Sequence, residues 1–292
     1  MWVGDALHGP QVAGRKTYLF AFIDDHSRAV MAARFGFAED TVRLAAALRP
    51  ALASRGVPES VYVDNGSAFI DSWLLRACAV LGVKLVHSTP GRPQGRGKIE
   101  RFFRTVRDQF LVELGGDHHL SALAELNRLF TAWVETVYHV RPHSETGVAP
   151  LQRWSEGVPD PLPRPNPAQL REAFLWAEYR TVTKTATVSL HGNTYAVDEL
   201  LIGRRVELVF DPFDLTTVEV RDHGRSFGAA VAFRIGRHAH PKARRQHPDL
   251  PEPPPTGIDY LRILDTTHDQ QLKPRINYTA LFGDADTGEE RR

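Results

Sequence analysis

Three acidic side chains stand where the chain could place reacting chemistry. Val61-Tyr62-Val63 is an apolar run ending in Asp64 and followed by Asn65-Gly66, the pattern of a buried strand that delivers a carboxylate to a turn at a sheet edge. Glu100 is the second. Apolar residues recur at Ile99, Phe102, Phe103, Val106 and Phe110, a helical stripe that turns one face inward and leaves Glu100 outside it. That outer face is basic: from Lys84 to Arg107 the chain carries Lys84, Arg92, Arg96, Lys98, Arg101, Arg104 and Arg107 against this single acid. A strand-end carboxylate and a helix carboxylate can converge on a divalent cation, because hard cations such as Mg²⁺ take oxygen ligands and keep places for substrate phosphates. The surrounding arginines and lysines would hold a polyanion. Asp5, closing the apolar start Trp2-Val3-Gly4, offers a third carboxylate.

Each residue also has an ordinary reading. Asp5 alone is a strand-end or turn residue, and Glu100 alone is an i, i+4 partner for Arg104 worth a few tenths of a kcal/mol. Asp24 and Asp25 rival Asp5 as the first carboxylate, but paired Asp before His26-Ser27 is turn composition and reads as structural. Lys98 after glycines suggests a phosphate loop; Ile99 stands where that loop requires Ser or Thr, which rejects it. His87 either touches substrate or finishes a strand. Pairing does not account for the spacing of Glu100 from Asp64.

With 35 residues between Asp64 and Glu100 and Trp2-x-x-Asp5 upstream, the pattern resembles the Asp, Asp, Glu core of DDE transposases and retroviral integrases. Phe22-Ile23-Asp24-Asp25-His26-Ser27-Arg28 and the run from His87 to Arg101 are similar to strings in bacterial members, and Tyr138-His139-Val140-Arg141-Pro142-His143 followed by Pro150 resembles the close of their catalytic domain. The resemblance implies a ribonuclease H-like fold, with Asp5, Asp64 and Glu100 as catalytic ligands of two Mg²⁺ or Mn²⁺ ions. It implies 3′-end cleavage of DNA followed by strand transfer, with Arg96, Lys98, Arg101, Arg104 and Arg107 on phosphates, and action as a homo-multimer on DNA. Two rivals share much of this: a ribonuclease H-like nuclease that only hydrolyses, and a catalytically silent DNA-binding derivative. Family members usually carry upstream helix-turn-helix domains that read element ends. This chain starts just ahead of Asp5 and is therefore expected to be a fragment, the product of a broken reading frame, or half of a split enzyme.

Elements that would position the site follow in order. Residues 2–8, 17–24 and 28–35 read as strands, 40–54 as a helix that Pro50 should kink or shorten, 61–64 as a strand, 68–81 as a helix closed by Gly82, and 84–88 as a strand. Three strands followed by alternating helices and strands make an α/β mixed sheet. Residues 89–97 read as a mobile loop, and 120–139 as a further helix. Prolines 159, 161, 163, 165 and 167 read as an extended spacer. Beyond it, alternation from Ala186 to Val197 and short runs around Val206–Phe210 and Val218–Val220 suggest a small barrel of about five strands. Tyr195-Ala196-Val197, Gly203 and Phe210-Asp211-Pro212-Phe213-Asp214 resemble the C-terminal barrel of phage Mu-type transposases. The expected organisation is a catalytic core at 1–155, a linker with connecting helix at 156–178, a barrel at 179–232, and a basic segment and tail at 233–292.

Composition limits the rest. At 292 residues, 42% hydrophobic and 24% charged, the chain is an ordinary globular one, and its net charge of +1 gives no global pull on nucleic acid. A single cysteine, Cys78, excludes an internal disulfide and fits a reducing compartment, so the cytoplasm is the default location; the resemblance implies a bacterial one, with nucleoid association when on DNA. No apolar run suggests a membrane span. The 13 histidines do not fall into the spaced Cys/His sets of a zinc site. Arg234 to His247 holds five Lys or Arg and no acid and could track a phosphate backbone. From Asp249 onward nine acids oppose five bases, with apolar clusters at Ile258, Tyr260, Leu261, Ile263 and Leu264 and at Ile276, Tyr278, Leu281 and Phe282. Residues 256–283 are therefore expected to dock on a partner, which the resemblance identifies as a target-selecting AAA+ ATPase; the alternative is that these clusters pack back on the chain's own domains.

Overall fold

Alternation along the first strands buries both faces of one sheet. In the computed structural model, which describes residues 1–89, 95–114, 120, 122–241 and 260–272, β1 (Trp2–Val12), β2 (Arg15–Asp24) and β3 (Val30–Gly36) form an antiparallel meander. Next to β1, β4 (Ser60–Val63) and β5 (Lys84–His87) add in parallel, giving the order β3-β2-β1-β4-β5. This is the mixed α/β sheet that the strand pattern called for. Trp2, Phe20 and Phe22 meet Leu44 and Leu48 of α1 (Thr41–Arg55), Phe69, and Leu74 of α2 (Ser72–Leu81) on one face. Val3, Leu19, Ala21 and Ile23 meet the stripe of α3 (Gly97–Gln109) and Leu126, Phe130 and Trp133 of α4 (Leu123–Trp133) on the other. Each large apolar side chain buried here contributes roughly 1.5–3 kcal/mol, so two filled faces make the sheet a rigid platform.

Local departures have local causes. The α1 helix runs through Pro50 to Arg55, because Ala47, Leu48, Ala51 and Leu52 are buried on both sides of a proline that itself faces solvent. α2 begins at Ser72, where Asp71 caps it by accepting from the Trp73 N–H at 2.9 Å, and ends at Gly82 with φ 69°. The helix expected over 120–139 becomes α4 followed by a π-helical turn, Val134–Tyr138. That turn lets the buried His139 Nε2 accept the Val30 N–H at 2.9 Å while its Nδ1 lies 3.1 Å from Glu135, pinning the turn to β3.

The proline stretch does not stand off the core. Between α5 (Pro150–Gly157) and α6 (Pro167–Ala173), the Pro163 carbonyl accepts from Val57 N at 2.8 Å, and Ala173 and Phe174 join the first core face. Beyond it six strands, rather than about five, form an antiparallel sheet: β6 (Trp176–Thr181), β7 (Thr187–Leu190), β8 (Asn193–Ala196), β9 (Arg205–Asp211), β10 (Asp214–Asp222) and β11 (Arg225–Arg234), in the order β6-β9-β10-β11-β8-β7. The sheet curls into a nearly closed barrel around Val188, Leu190, Tyr195, Leu208, Phe210 and Val218. β6 begins inside the range read as linker and connecting helix.

Part of the expected docking tail instead folds back on the core. α7 (Tyr260–Leu272) lies on α4: Leu261 is 1% exposed within the second core face, Leu264 packs beside it, and Asp265 pairs with Arg128 at 3.0 Å. Leu261 and Leu264, expected to meet a partner, are thus covered by the chain itself. Ile258, Ile276, Tyr278, Leu281 and Phe282, and the basic run beyond residue 241, lie outside the described residues. Among the described residues no helix is long and apolar enough to cross a membrane.

Candidate active site

Parallel pairing of β1 with β4 brings two of the three carboxylates together. Val3 stands opposite Tyr62 in the register, and two residues further along each chain come Asp5, within β1, and Asp64, just past the end of β4. Both lie toward the carboxyl end of this parallel pair, where open α/β sheets present their binding crevices. Beside Asp5, Gly4 leaves room for the neighbouring β2, since a Cβ there would stand 2.2 Å from the Phe22 ring. Asp5 is buried and accepts from Ala6 N at 2.9 Å; Asp64 Oδ1 accepts from Gly66 N at 2.8 Å, so Asn65-Gly66 turns as its composition suggested.

Arg96 lies between the two acids. Its Nη2 donates to Asp5 Oδ2 at 2.6 Å and stands 3.5 Å from Asp64 Oδ2. Burial raises the Asp5 carboxyl above its ordinary value, against the lowering effect of Arg96 and the Ala6 N–H. Burial works against the Arg96 charge, yet Asp5, Asp64 and Glu100 together raise its pKa. Glu100 is exposed on α3, as the stripe required, and its charge acts on the same guanidinium. The cluster thus draws positive charge inward. Its donors are all oxygens, a hard set that fits Mg²⁺ or Mn²⁺.

The remaining basic residues divide into two groups. Lys98 Nζ bonds both carboxylate oxygens of Asp25 at 2.7 Å, and Arg101 pairs with Glu145 at 2.9 Å. Arg104 and Arg107 are exposed, and among the described residues they make no ion pair. Asp24 does turn work, accepting from Ser27 N and Oγ at 2.9 and 2.8 Å. His87 Nε2 lies 3.0 Å from the Phe69 carbonyl, which ties β5 to the segment after Asp64. The loop ahead of Arg96 falls, from 90 to 94, outside the described residues.

A second cluster was not legible in the sequence. Among the described residues, the acid and imidazole groups whose ligand atoms all lie within 4.8 Å of one another are Glu178, His191 and His240, in the barrel. Asp5, Asp64 and Glu100 are not gathered that closely. No short spacing signals the barrel cluster, because a strand, a hairpin turn and the segment after β11 each supply one member.

Residues 1–93 match the family model "Integrase core domain", residues 81–150 match a second model of that description, and residues 171–227 match "Mu transposase, C-terminal". The chain is 26% identical over 223 residues to the transposase for transposon Tn552 of Staphylococcus aureus, covering 70% of this chain and 46% of that protein. It is 30% identical over 118 residues to a putative transposase for insertion sequence element IS5376 of Geobacillus stearothermophilus, covering 37% of this chain and 28% of that protein. The chain therefore spans less than half the length of either relative. The integrase catalytic core of HTLV-2, solved in complex with magnesium, is 22% identical over 52% of this chain and 93% of that one, with a TM-score of 0.42.

Proposed function

From a chain that joins an integrase core domain to a Mu transposase C-terminal domain, we propose a DDE-type transposase that cleaves DNA at 3′ ends and transfers those ends to target DNA. The observation that carries it is the meeting of Asp5, within β1, and Asp64, just past the end of the adjacent parallel β4, with Arg96 bridging them and Glu100 on the flanking helix. Asp5, Asp64 and Glu100 hold the cations in this reading. Two bound Mg²⁺ or Mn²⁺ ions would supply activation of the attacking oxygen and stabilisation of the leaving oxygen in an in-line displacement at phosphorus.

The chain's own residues do the positioning. Asp5, fixed by Ala6 N and buried, sets one wall of the crevice; Asp64, fixed by Gly66 N, sets the other. Arg96 gives way to cations and then faces substrate phosphate. Lys98, Arg101, Arg104 and Arg107 hold DNA along α3, as backbone contacts that position without reading sequence. Water attacks first and frees a 3′-OH; that hydroxyl then attacks a target phosphodiester, so one bond breaks as another forms and no ATP is consumed in the chemistry. The protein acts as a homo-multimer on DNA.

The test uses duplexes copied from the ends of the element in which the gene lies. With Mg²⁺ or Mn²⁺ the wild type should give cleaved 3′ ends and then joined product, and Asp64→Asn should abolish both while DNA affinity stays nearly unchanged. Cleavage without joining would assign a hydrolytic nuclease instead. Cleavage persisting in Asp64→Asn would overturn the carboxylate assignment.

A further inference from the structure

The barrel sheet has one open line. Its order leaves β6 and β7 as the two edges, and edge strands carry backbone groups that need a partner or a cover. Side chains cross that line. Arg180 of β6 donates through Nε to the Ser189 carbonyl of β7 at 3.1 Å. Glu178 of β6 and His191, at the turn ending β7, stand opposite each other with Oε1 and Nε2 2.8 Å apart. His240 comes from the segment after β11, its ring 4.1 Å from that of His191 and nearly perpendicular to it.

We infer that Glu178, His191 and His240 form a zinc-type metal site, with one carboxylate and two imidazole ligands and water in the fourth position, which staples the open seam of the barrel. The donor chemistry separates it from the all-oxygen cluster at Asp5. Two imidazoles and one carboxylate suit Zn²⁺ and its first-row neighbours, whereas Mg²⁺ prefers oxygen alone. Bonds of about 2.0–2.2 Å in tetrahedral geometry place ligand atoms roughly 3.3 Å apart. The three groups, already within 4.8 Å, need only side-chain adjustment to reach it.

His191 Nε2 is buried and faces one carboxylate oxygen, Glu178 Oε1, at 2.8 Å. Glu178 already receives Arg180 through its other oxygen. Meanwhile the segment bearing His240 is firmly delivered. Asn193 Oδ1 accepts from Gly236 N and Arg237 N at 2.8 and 2.7 Å, its Nδ2 donates to the Arg237 carbonyl at 2.6 Å, and His240 N donates to the Pro212 carbonyl at 2.8 Å. Trp176 and Phe210 wall the site, with ring centroids 4.9 and 6.4 Å from that of His240. The imidazoles are thus held by a fixed frame, walled by aromatic rings on one side.

The test uses the full chain, free of any affinity tag, stripped with chelator, in an Asp64→Asn background so that the catalytic carboxylates contribute little. Zn²⁺ and Co²⁺ are titrated, with bound metal counted and the visible Co²⁺ spectrum recorded. One equivalent per chain is expected, with the intense absorption of tetrahedral Co²⁺ and a raised melting temperature on Zn²⁺. His191→Asn keeps a residue that suits the positive φ of 49° at this turn, and His240→Gln keeps much of the volume, so both should fold. Each should weaken zinc about 100-fold or more while leaving the metal-free melting temperature close to that of the parent. Zinc uptake unchanged in the double variant, or none by the parent chain, would overturn the site.

Discussion

Arg96 donates to Asp5 at 2.6 Å across 91 positions of chain, and the same guanidinium nitrogen stands 3.5 Å from Asp64. A cation that enters this crevice must displace it. Arg96→Gln should therefore tighten binding of Mn²⁺ to the DNA-free protein by about tenfold, or about 1.4 kcal/mol of charge competition removed. Asp5 would be left without its charged partner, so stability should fall by about 1–3 kcal/mol in the metal-free protein. Mn²⁺ titration followed by paramagnetic resonance, with a parallel melt, reads both; unchanged affinity would mean that the guanidinium leaves without cost.

On α3 the pairing pattern ranks the basic residues. Lys98 and Arg101 are engaged by Asp25 and Glu145, so moving them to phosphate breaks an existing pair, whereas Arg104 and Arg107 face solvent. Replacing Arg104 and Arg107 with Ala should weaken binding to all sequences alike. It should also flatten the slope of log K against log salt by about one unit for each phosphate left without its arginine. An unchanged slope would place the DNA elsewhere.

What the sequence revealed follows from how local each signal is. Asp64 at a strand end and Glu100 opposite the stripe of Ile99, Phe102, Phe103 and Val106 are set by neighbours within one turn or strand, and both were legible. Arg96 as the bridge between Asp5 and Asp64 was not, because it joins residues 91 positions apart that only the tertiary fold brings together. β6 was hidden for a different reason: Trp176–Thr181 is nowhere fully buried, so its alternation carries little hydrophobic contrast. Glu178, His191 and His240 meet only because the barrel curls its two edges together. The α7 clusters were legible as apolar, but nothing in a sequence says whether a partner or the chain's own α4 will cover them.

Glu172 of α6 joins the two halves. It receives Arg76 from α2 and Arg221 from β10, the latter at 2.9 Å. The hydrogen bond from Arg221, with the charges of Arg221 and Arg76, holds its carboxyl below the ordinary 4.5 in spite of burial. A depressed carboxylate stabilises the fold fully above its unfolded value and gives up that contribution as pH falls through the folded one. Glu172→Gln should therefore cost about 1 kcal/mol or less at pH 7, since Glu172 is a third exposed, and nothing well below pH 4. Denaturant midpoints of both proteins across that range test it: a gap that persists in acid would show that shape, and not charge, is what Glu172 supplies.

Leu261 is 1% exposed within the core face shared with α4, and Ile263, two residues on, is 54% exposed. If α7 belongs to this core, Leu261→Ala leaves a cavity and costs about 2–4 kcal/mol, whereas Ile263→Ala is close to neutral. Deleting residues 256–292 should then uncover α4 and lower the melting temperature of the α/β core, because it also takes Asp265 from Arg128 and Arg262 from Glu125. Cleavage would weaken with stability, since α4 and α3 share that core face and α3 carries Glu100. A truncated chain that melts with the parent would return α7 to the role of a segment held for a partner.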